Sequence, residues 1–267
     1  MINALIAGAL AVAAPAPAPI SQPSEPAMFV VHDADTTIYI FGTFHALDGK
    51  TPWFERKVRN AFEQSNELVL ETLIPEGPVV PLPGRQGLPI RAPSVTPSAS
   101  FLASTRMAIN AGQSQGMQVS NGADNVLRHV AEQEGKPVEG LETLEFQLNM
   151  FNSMPAMTAS VSAPKAAGAA ARPPIDSLSQ SMAEMQTAWK QGDQSVFVRM
   201  LDNLRQASPD TYRVMFTERN ARWADWIAAR MRAPGTVFIA VGAGHLVGKD
   251  SVLVRLAEKG LESTRVD

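Results

Sequence analysis

The sequence contains the stretch Ile38-Tyr39-Ile40-Phe41-Gly42-Thr43-Phe44-His45, in which a run of strand-forming residues leads into a Gly-x-x-His motif. The same arrangement returns near the end of the chain as Val237-Phe238-Ile239-Ala240-Val241-Gly242-Ala243-Gly244-His245. Short apolar runs rich in β-branched and aromatic residues are typical of strands buried on both faces. The repetition predicts two related half-domains that bring their strand ends together, at the place where ligands usually bind in α/β folds.

The rest of the chain alternates strand and helix patterns around a helical insert, which predicts an α/β or α+β fold. A hairpin is expected from residues 28–31 and 37–41, and a buried strand from Leu68 to Leu70 that ends at Glu71. Regions 75–100 and 156–174 are rich in Pro, Gly, Ala or Ser and are predicted to be loops. Further strands are expected at 136–139, 236–241 and 263–266, and helices at 52–66, 101–111, 124–134, 142–151, 175–190, 194–206, 209–232 and 248–259.

Composition narrows the chemistry that the chain can perform. The sequence is 45% hydrophobic, which is enough for a packed core, and its net charge of -3 gives no reason to expect nucleic-acid binding. It has four histidines and no cysteine, so disulfides, thiolate nucleophiles and Cys-type zinc sites are excluded. Any transition-metal site must therefore be built from histidines and carboxylates.

The N-terminus indicates export. Residues Leu5 to Ala14 form an apolar run that is too short to span a bilayer but suits the core of a secretory signal, with a cleavage site at Ala11-Val12-Ala13. We expect residues 1–20 to be signal-like, 21–27 to be a linker and 28–267 to form the folded domain. The expected location is periplasmic or secreted, without a stable membrane span. An inner-membrane anchor formed by the uncleaved segment is one alternative, and a cytoplasmic tail is another because the segment lacks Lys and Arg.

The four histidines fall into two classes. His32 lies in the predicted hairpin turn and His129 on a polar helix face, so ordinary solvated roles are expected for both. His45 and His245 each follow a buried strand and a glycine that permits an unusual backbone turn. Either one alone suits a core histidine, but their matched settings favour a shared site, with imidazole as the commonest metal ligand.

Two carboxylates and one arginine have positions that suit the same site. Glu71 directly follows apolar strand residues and needs a metal or an arginine as partner if it is buried, whereas a solvent-facing strand end or helix cap is the alternative. Glu142 lies at a strand-to-helix passage, where it is either a site residue or a first-turn helix carboxylate. Arg219 falls on a stripe with Phe216 and Trp223, and a buried arginine there requires a carboxylate or an anionic reaction centre.

These residues occur within a series of motifs that resembles the TraB/GumN family, including its PrgY-like and Tiki-like members. The resemblance covers nearly the whole presumed mature chain. It implies an α/β fold with two pseudo-repeated β-sheet halves, flanking helices and a helical insert, as in the erythromycin-esterase/ChaN-like group. It also implies a divalent-metal-dependent peptidase and assigns site roles to His45, Glu71, Glu142, Arg219 and His245. The motifs are Tyr39-Ile40-Phe41-Gly42-Thr43-Phe44-His45, Leu68-Val69-Leu70-Glu71, Gly135-Lys136-Pro137-Val138-Glu139-Gly140-Leu141-Glu142-Thr143, Glu218-Arg219-Asn220 and Val241-Gly242-Ala243-Gly244-His245-Leu246.

Together these observations predict an exported metal-dependent hydrolase that acts on a peptide or protein substrate. His45 and His245 would hold a divalent ion such as Mn²⁺, Co²⁺ or Zn²⁺, with Glu71 as the third ligand or the general base. Glu142 would carry the proton, and Arg219 would orient a carboxylate or stabilise the oxyanion. A non-catalytic binding protein for peptide, haem or metal is the main alternative, and an esterase is a weaker one.

Overall fold

The structure, a computed structural model, describes residues 25–50, 52–73, 99–154 and 174–266. Within them a six-stranded mixed sheet forms the centre of the fold. Its strands are β1 (Met28–His32), β2 (Thr36–Thr43), β3 (Glu67–Thr72), β4 (Val138–Glu142), β5 (Gly235–Gly242) and β6 (Thr264–Arg265). The helices are α1 (Arg56–Gln64), α2 (Ala99–Gln113), α3 (Ala123–Gln133), α4 (Leu144–Ser153), α5 (Pro174–Lys190), α6 (Ser195–Ala207), α7 (Pro209–Tyr212), α8 (Glu218–Arg230) and α9 (Val252–Ala257).

The two repeated strands are neighbours in one sheet. The strand order is β4-β3-β5-β2-β1-β6, and β2 pairs with β5 in parallel, from Thr36 opposite Gly235 to Thr43 opposite Gly242. β5 is also parallel to β3, and β3 to β4, so four adjacent strands run in the same direction. β1 is antiparallel to both β2 and β6. The predicted α/β class and hairpin are confirmed, and the carboxyl ends of β2, β3, β4 and β5 meet at one edge.

Helices cover both faces of the sheet because the central strands are apolar on both sides. In β5, Phe238 and Ala240 point into one buried cluster, whereas Val237, Ile239 and Val241 point into the other. Such two-sided burial is expected for parallel strands with helices on both faces. The first cluster includes side chains of α1, α3, α5 and α6, and the second includes side chains of α8 and α9.

Several predicted boundaries were wrong for identifiable reasons. The helix expected from residue 142 begins at Leu144, because the Thr143 hydroxyl accepts a hydrogen bond from the Phe146 N–H at 3.1 Å and caps the helix there. Glu142 is therefore the last residue of β4 rather than part of a helix. The helix expected at 209–232 is interrupted by a π-helical turn at Arg213–Thr217.

Some predictions concern residues whose placement is not described. The signal-like segment lies in residues 1–24, which fall outside the described residues, as do 74–98 and 155–173, which contain nearly all of the two predicted loops. In the described part of the chain, no helix has the length and apolar character that crossing a membrane requires.

Substitution of Phe41 tests how much the aromatic core contributes to the stability of the fold. Its ring is fully buried and lies 5.6 Å from Trp53 and 5.9 Å from Phe238, measured between centroids. We expect Phe41→Ala to lower the free energy of unfolding by about 3–5 kcal/mol through lost burial and a residual cavity. Leu102→Ala is the control, since Leu102 is 52% exposed. Urea unfolding followed by tryptophan fluorescence measures both, and equal effects would contradict the assigned core.

Candidate active site

The parallel strands bring the predicted site residues to one edge of the sheet. His45 follows β2, Glu71 lies near the end of β3, and Glu142 ends β4. His245 lies in a short 3-10 turn, Ala243–Leu246, that follows β5. Arg219 reaches the same edge from the first turn of α8, on the face predicted to be buried. The contacts described below connect Glu71, Glu142, Arg219 and His245, whereas His45 lies at the same edge and pairs with Asp124.

Arg219 lies at the centre of the site and is only 3% exposed. Its Nη2 is 2.9 Å from Glu71 Oε2, and its Nε donates to both carboxylate oxygens of Glu142 at 3.0 Å. The guanidinium carbon also lies 4.6 Å from the centre of the Trp223 ring, within cation–π range. A buried guanidinium needs such partners, and here carboxylates from two different strands supply them.

Both carboxylate oxygens of Glu142 accept hydrogen bonds. Its side chain is 4% exposed, and besides Arg219 it accepts a hydrogen bond from Trp223 Nε1 at 3.1 Å. Arg222 Nη2 lies 3.5 Å from the same carboxylate. These contacts leave Glu142 poorly placed to exchange a proton with a substrate, and they suit an anchor that holds Arg219.

Glu71 is held between a backbone amide and the guanidinium. Its Oε1 accepts from the Gly242 N–H at 2.6 Å, and its Oε2 accepts from Arg219. Burial opposes ionisation of this carboxyl group. The charge of His245, which is protonated only in the acid range where Glu71 titrates, together with Arg219, His45 and the Gly242 N–H, outweighs burial and lowers the pKa of Glu71 to about 2. Glu71 is therefore a carboxylate at neutral pH.

His245 is a buried imidazole with fixed surroundings. It is 5% exposed, and its ring lies 4.4 Å from that of Trp223 and 4.8 Å from that of Phe216, between centroids. Its Nδ1 is 2.6 Å from Asn220 Oδ1, and its Nε2 is 3.8 Å from Glu71 Oε1. Burial lowers the pKa of His245 to about 3 despite the opposing charge of Glu71, so the ring is neutral at pH 7.

His45 has the opposite environment. Its side chain is 62% exposed, and Nδ1 lies 3.3 Å from Asp124 Oδ1. Lost hydration around the ring favours its neutral form, but the Asp124 carboxylate outweighs this and raises the pKa of His45 above its usual range. The start of α3 positions Asp124, since the Ala123 N–H donates to the Phe44 carbonyl at 3.0 Å.

Gly42 and Gly242 are needed because neighbouring atoms leave little room for a side chain, and not because their backbone conformation is special. Neither Gly42 nor Gly242 has a positive φ, so the expected glycine-specific turn was wrong. A Cβ atom on Gly242 would lie 3.1 Å from Glu71 Oε1 and 3.3 Å from His45 Nε2, with His245 Cδ2 at 3.7 Å. The absent side chain at Gly242 thus leaves a small cradle lined by both histidines and Glu71.

Three contributors to the site were not assigned a role from the sequence: Asp124, Asn220 and Trp223. Asn220 belongs to the Glu-Arg-Asn motif, and Trp223 was identified only as part of a buried stripe. Asp124 follows Gly122-Ala123 at the start of a helix, and this position alone gave no sign of a histidine partner. Glu139 and Glu145, the other carboxylates near Glu142, are both exposed.

The imidazole and carboxylate groups of His45, His245 and Glu71 are donor types that divalent transition metals accept. Each histidine contacts a side-chain oxygen through Nδ1, an arrangement common among metal-bound histidines, whose other nitrogen then faces the ion. As placed, however, no three His, Asp or Glu side chains of the described residues form a group that could hold a metal. The metal therefore stays a prediction based on the donor chemistry.

The fold and the site define an α/β protein with a buried, ionised cluster at the carboxyl edge of a mostly parallel sheet. A profile of the TraB/PrgY/gumN family matches residues 27–78 and 84–265, and the chain belongs to this family. The comparisons with curated proteins and with solved structures gave no match.

Arg219 is expected to be essential for stability. We predict that Arg219→Met lowers the free energy of unfolding at pH 7 by about 3–5 kcal/mol, because two buried carboxylates lose their main partner. Arg199→Met is the matched control, since Arg199 pairs with Glu184 while 60% exposed and is expected to contribute less than about 1 kcal/mol. Chemical denaturation of both variants measures the difference, and similar values would show that the buried ion pair is not the main support.

His245 is expected to make stability depend on pH. Its pKa is about 3 in the folded protein against 6.5 as the ordinary value, so protons bind the unfolded chain first. The contribution of His245 to stability is complete above about pH 6.5 and falls below it by up to about 1.4 kcal/mol per pH unit for one proton. Glu71 adds to the loss only as the pH falls from about 4.5 towards 2.

The measurement is the free energy of unfolding of chelator-treated protein between pH 6.5 and 5, where His245 acts before Glu71. We expect a shallower slope in His245→Gln than in the wild type. The exposed His129, changed to Gln, is the control and should keep the wild-type slope. Parallel slopes in all three proteins would contradict the neutral, buried state of His245.

Proposed function

We propose that this member of the family is an exported hydrolase that cleaves peptide bonds with the help of a divalent metal ion. The observation that carries the proposal is the convergence of His45, Glu71 and His245 around the space left by Gly242. These donors come from the ends of three parallel strands, the usual position of a ligand site in such sheets. The ion would be Mn²⁺-, Co²⁺- or Zn²⁺-like.

The proposal assigns His45 Nε2, His245 Nε2 and Glu71 as the ligands. When bound, such an ion lowers the pKa of a coordinated water molecule and polarises a carbonyl group. His45 gives access from solvent because most of its ring is exposed, whereas His245 and Glu71 form the buried side of the site. A substrate would thus approach from the His45 side.

Arg219 would supply positive charge close to the group that reacts. Its Nε and Nη2 are engaged by the carboxylates, whereas the contacts of Nη1 with described residues are longer, at 3.4 Å to the Met215 carbonyl and to His245 Nε2. Nη1 is therefore the donor most available to an oxygen that gains negative charge. Glu142 would act by holding Arg219 in place, in contrast to the proton-carrying role expected from the sequence.

The test is cleavage of a peptide library by purified protein with added Mn²⁺, Co²⁺ or Zn²⁺, read by mass spectrometry. We expect His45→Ala and His245→Ala to reduce cleavage about 100-fold or more, the scale on which positioned proton-transfer and electrostatic groups act. His32→Ala and His129→Ala are the matched controls, since both residues are exposed, and they should keep wild-type activity.

Two outcomes would overturn the proposal. Binding of metal, peptide or haem by the wild type without turnover would identify a binding protein instead. Cleavage that survives both site substitutions would place the activity elsewhere or in a contaminant. Circular dichroism of each variant establishes that lost activity is not lost folding.

Export is a separate part of the proposal and rests on the apolar run of residues 5–14. We expect the N-terminal segment to direct a fused alkaline phosphatase out of the cytoplasm. Removal of residues 5–14 is the control and should abolish phosphatase activity. Retention of the full-length fusion in the cytoplasm would contradict export without affecting the proposed chemistry.

A further inference from the structure

The orientation of the Asn220 side chain is determined by a backbone carbonyl. Asn220 is 1% exposed, and its Nδ2 lies 2.7 Å from the carbonyl oxygen of Asp250. A carbonyl oxygen only accepts hydrogen bonds, so the amide NH₂ group must face it. The amide oxygen of Asn220 is then turned towards His245.

This orientation determines which nitrogen of His245 carries the proton. Asn220 Oδ1 only accepts hydrogen bonds, and it lies 2.6 Å from His245 Nδ1. The hydrogen bond therefore requires a proton on Nδ1. In a neutral imidazole the lone pair is then on Nε2, the nitrogen that faces Arg219 and Glu71.

The opposite side of the ring leads independently to the same tautomer. Arg219 Nη1 lies 3.4 Å from His245 Nε2, and a guanidinium only donates hydrogen bonds. A proton on Nε2 would point towards this donor, whereas a lone pair can face it. Asn220 and Arg219 thus both favour the tautomer of His245 in which Nδ1 carries the proton and Nε2 carries none.

The Asp250 carbonyl is itself held in place. Tyr212 Oη donates to Asp250 Oδ2 at 3.1 Å, and Arg255 Nη2 donates to Oδ1 at 2.6 Å. The loop before α9 is therefore tied to both α7 and α9. The helices therefore hold Asp250, the Asp250 carbonyl orients Asn220, and Asn220 orients the imidazole of His245.

We infer that Asn220 is a positioning residue that fixes the Nδ1–H tautomer of His245 and presents the Nε2 lone pair to the site. The tautomer follows from contacts within the chain alone. Its use to receive a divalent ion rests on the proposed function. The same hydrogen bond would also hold the plane of the ring, which Phe216 and Trp223 flank.

The direct test is nuclear magnetic resonance of ¹⁵N-histidine-labelled, metal-free protein, which has four histidines. We expect the His245 Nδ1 to be protonated and Nε2 to be unprotonated at pH 7. Assignment uses the loss of signals in His245→Gln. A wild-type protein with Nε2–H at His245 would overturn the inference whatever happens in the variants.

Two substitutions separate positioning from a merely structural role. Asn220→Asp keeps an acceptor for His245 but loses the donor to the Asp250 carbonyl, so it should lower stability while Nδ1 stays protonated. Asn220→Leu removes both groups at similar volume and leaves only the longer Arg219 contact, at 3.4 Å, to favour Nδ1–H, so a measurable share of the Nε2–H tautomer should appear. Asn203→Leu, at an exposed position in α6, is the control. An unchanged tautomer in folded Asn220→Leu protein would contradict the inference.

Zn²⁺ affinity provides a second measurement. Loss of an outer-shell partner of a metal-binding histidine typically reduces affinity about 10–100-fold, and this reduction is expected in Asn220→Leu but not in Asn203→Leu. Equal affinities in these two proteins would contradict the positioning role. If the wild type binds no Zn²⁺, the metal part of the proposed function fails, whereas the tautomer result still decides the role of Asn220.

Discussion

The buried guanidinium of Arg219 is the constraint on which the site depends. A charge removed from water must find fixed partners, and the two carboxylates that pair with it belong to adjacent strands, β3 and β4. Arg219 itself comes from α8, which packs against the sheet through Trp223 and Ile227. The ion pair therefore ties one helical layer to the carboxyl edge of the sheet. It also helps to lower the pKa of Glu71, since the guanidinium stays charged at any pH at which the protein is folded.

The two Gly-x-x-His repeats have the same sequence form but opposite environments. His245 is buried against an uncharged amide and is neutral, whereas His45 is exposed beside a carboxylate and favours its protonated form. Their glycines differ as well. A Cβ on Gly42 would lie 3.2 Å from Ala243 Cα, so the glycine allows the turn after β5 to pack closely against β2. Gly242 instead leaves space within the site. The repeat thus provides one rigid, buried histidine and one accessible histidine.

The sequence predicted those parts of the site that depend on local pattern. Strand ends identified Glu71, and helical spacing placed Arg219 on the buried face, because both properties are set by a few neighbouring residues. The partners of the histidines could not be predicted in this way. Asp124 meets His45 only because the start of α3 packs beside the end of β2, and the roles of the glycines depend on side chains from other strands. The predicted start of α4 at Glu142 was wrong because Thr143 caps the helix, which begins at Leu144.

Under the proposed function, the charges around the site determine how a divalent ion would bind. Glu71, Glu142 and Asp124 carry three negative charges, against the two positive charges of Arg219 and the partly exposed Arg222. With His245 neutral, these five side chains sum to one negative charge, and Asp124 raises the pKa of His45 so that its ring favours the protonated form. A divalent ion bound at His45 Nε2 would have to displace that proton, because a metal ligand must offer a lone pair. Metal binding under the proposed function is therefore a competition for His45, and it strengthens as the pH rises.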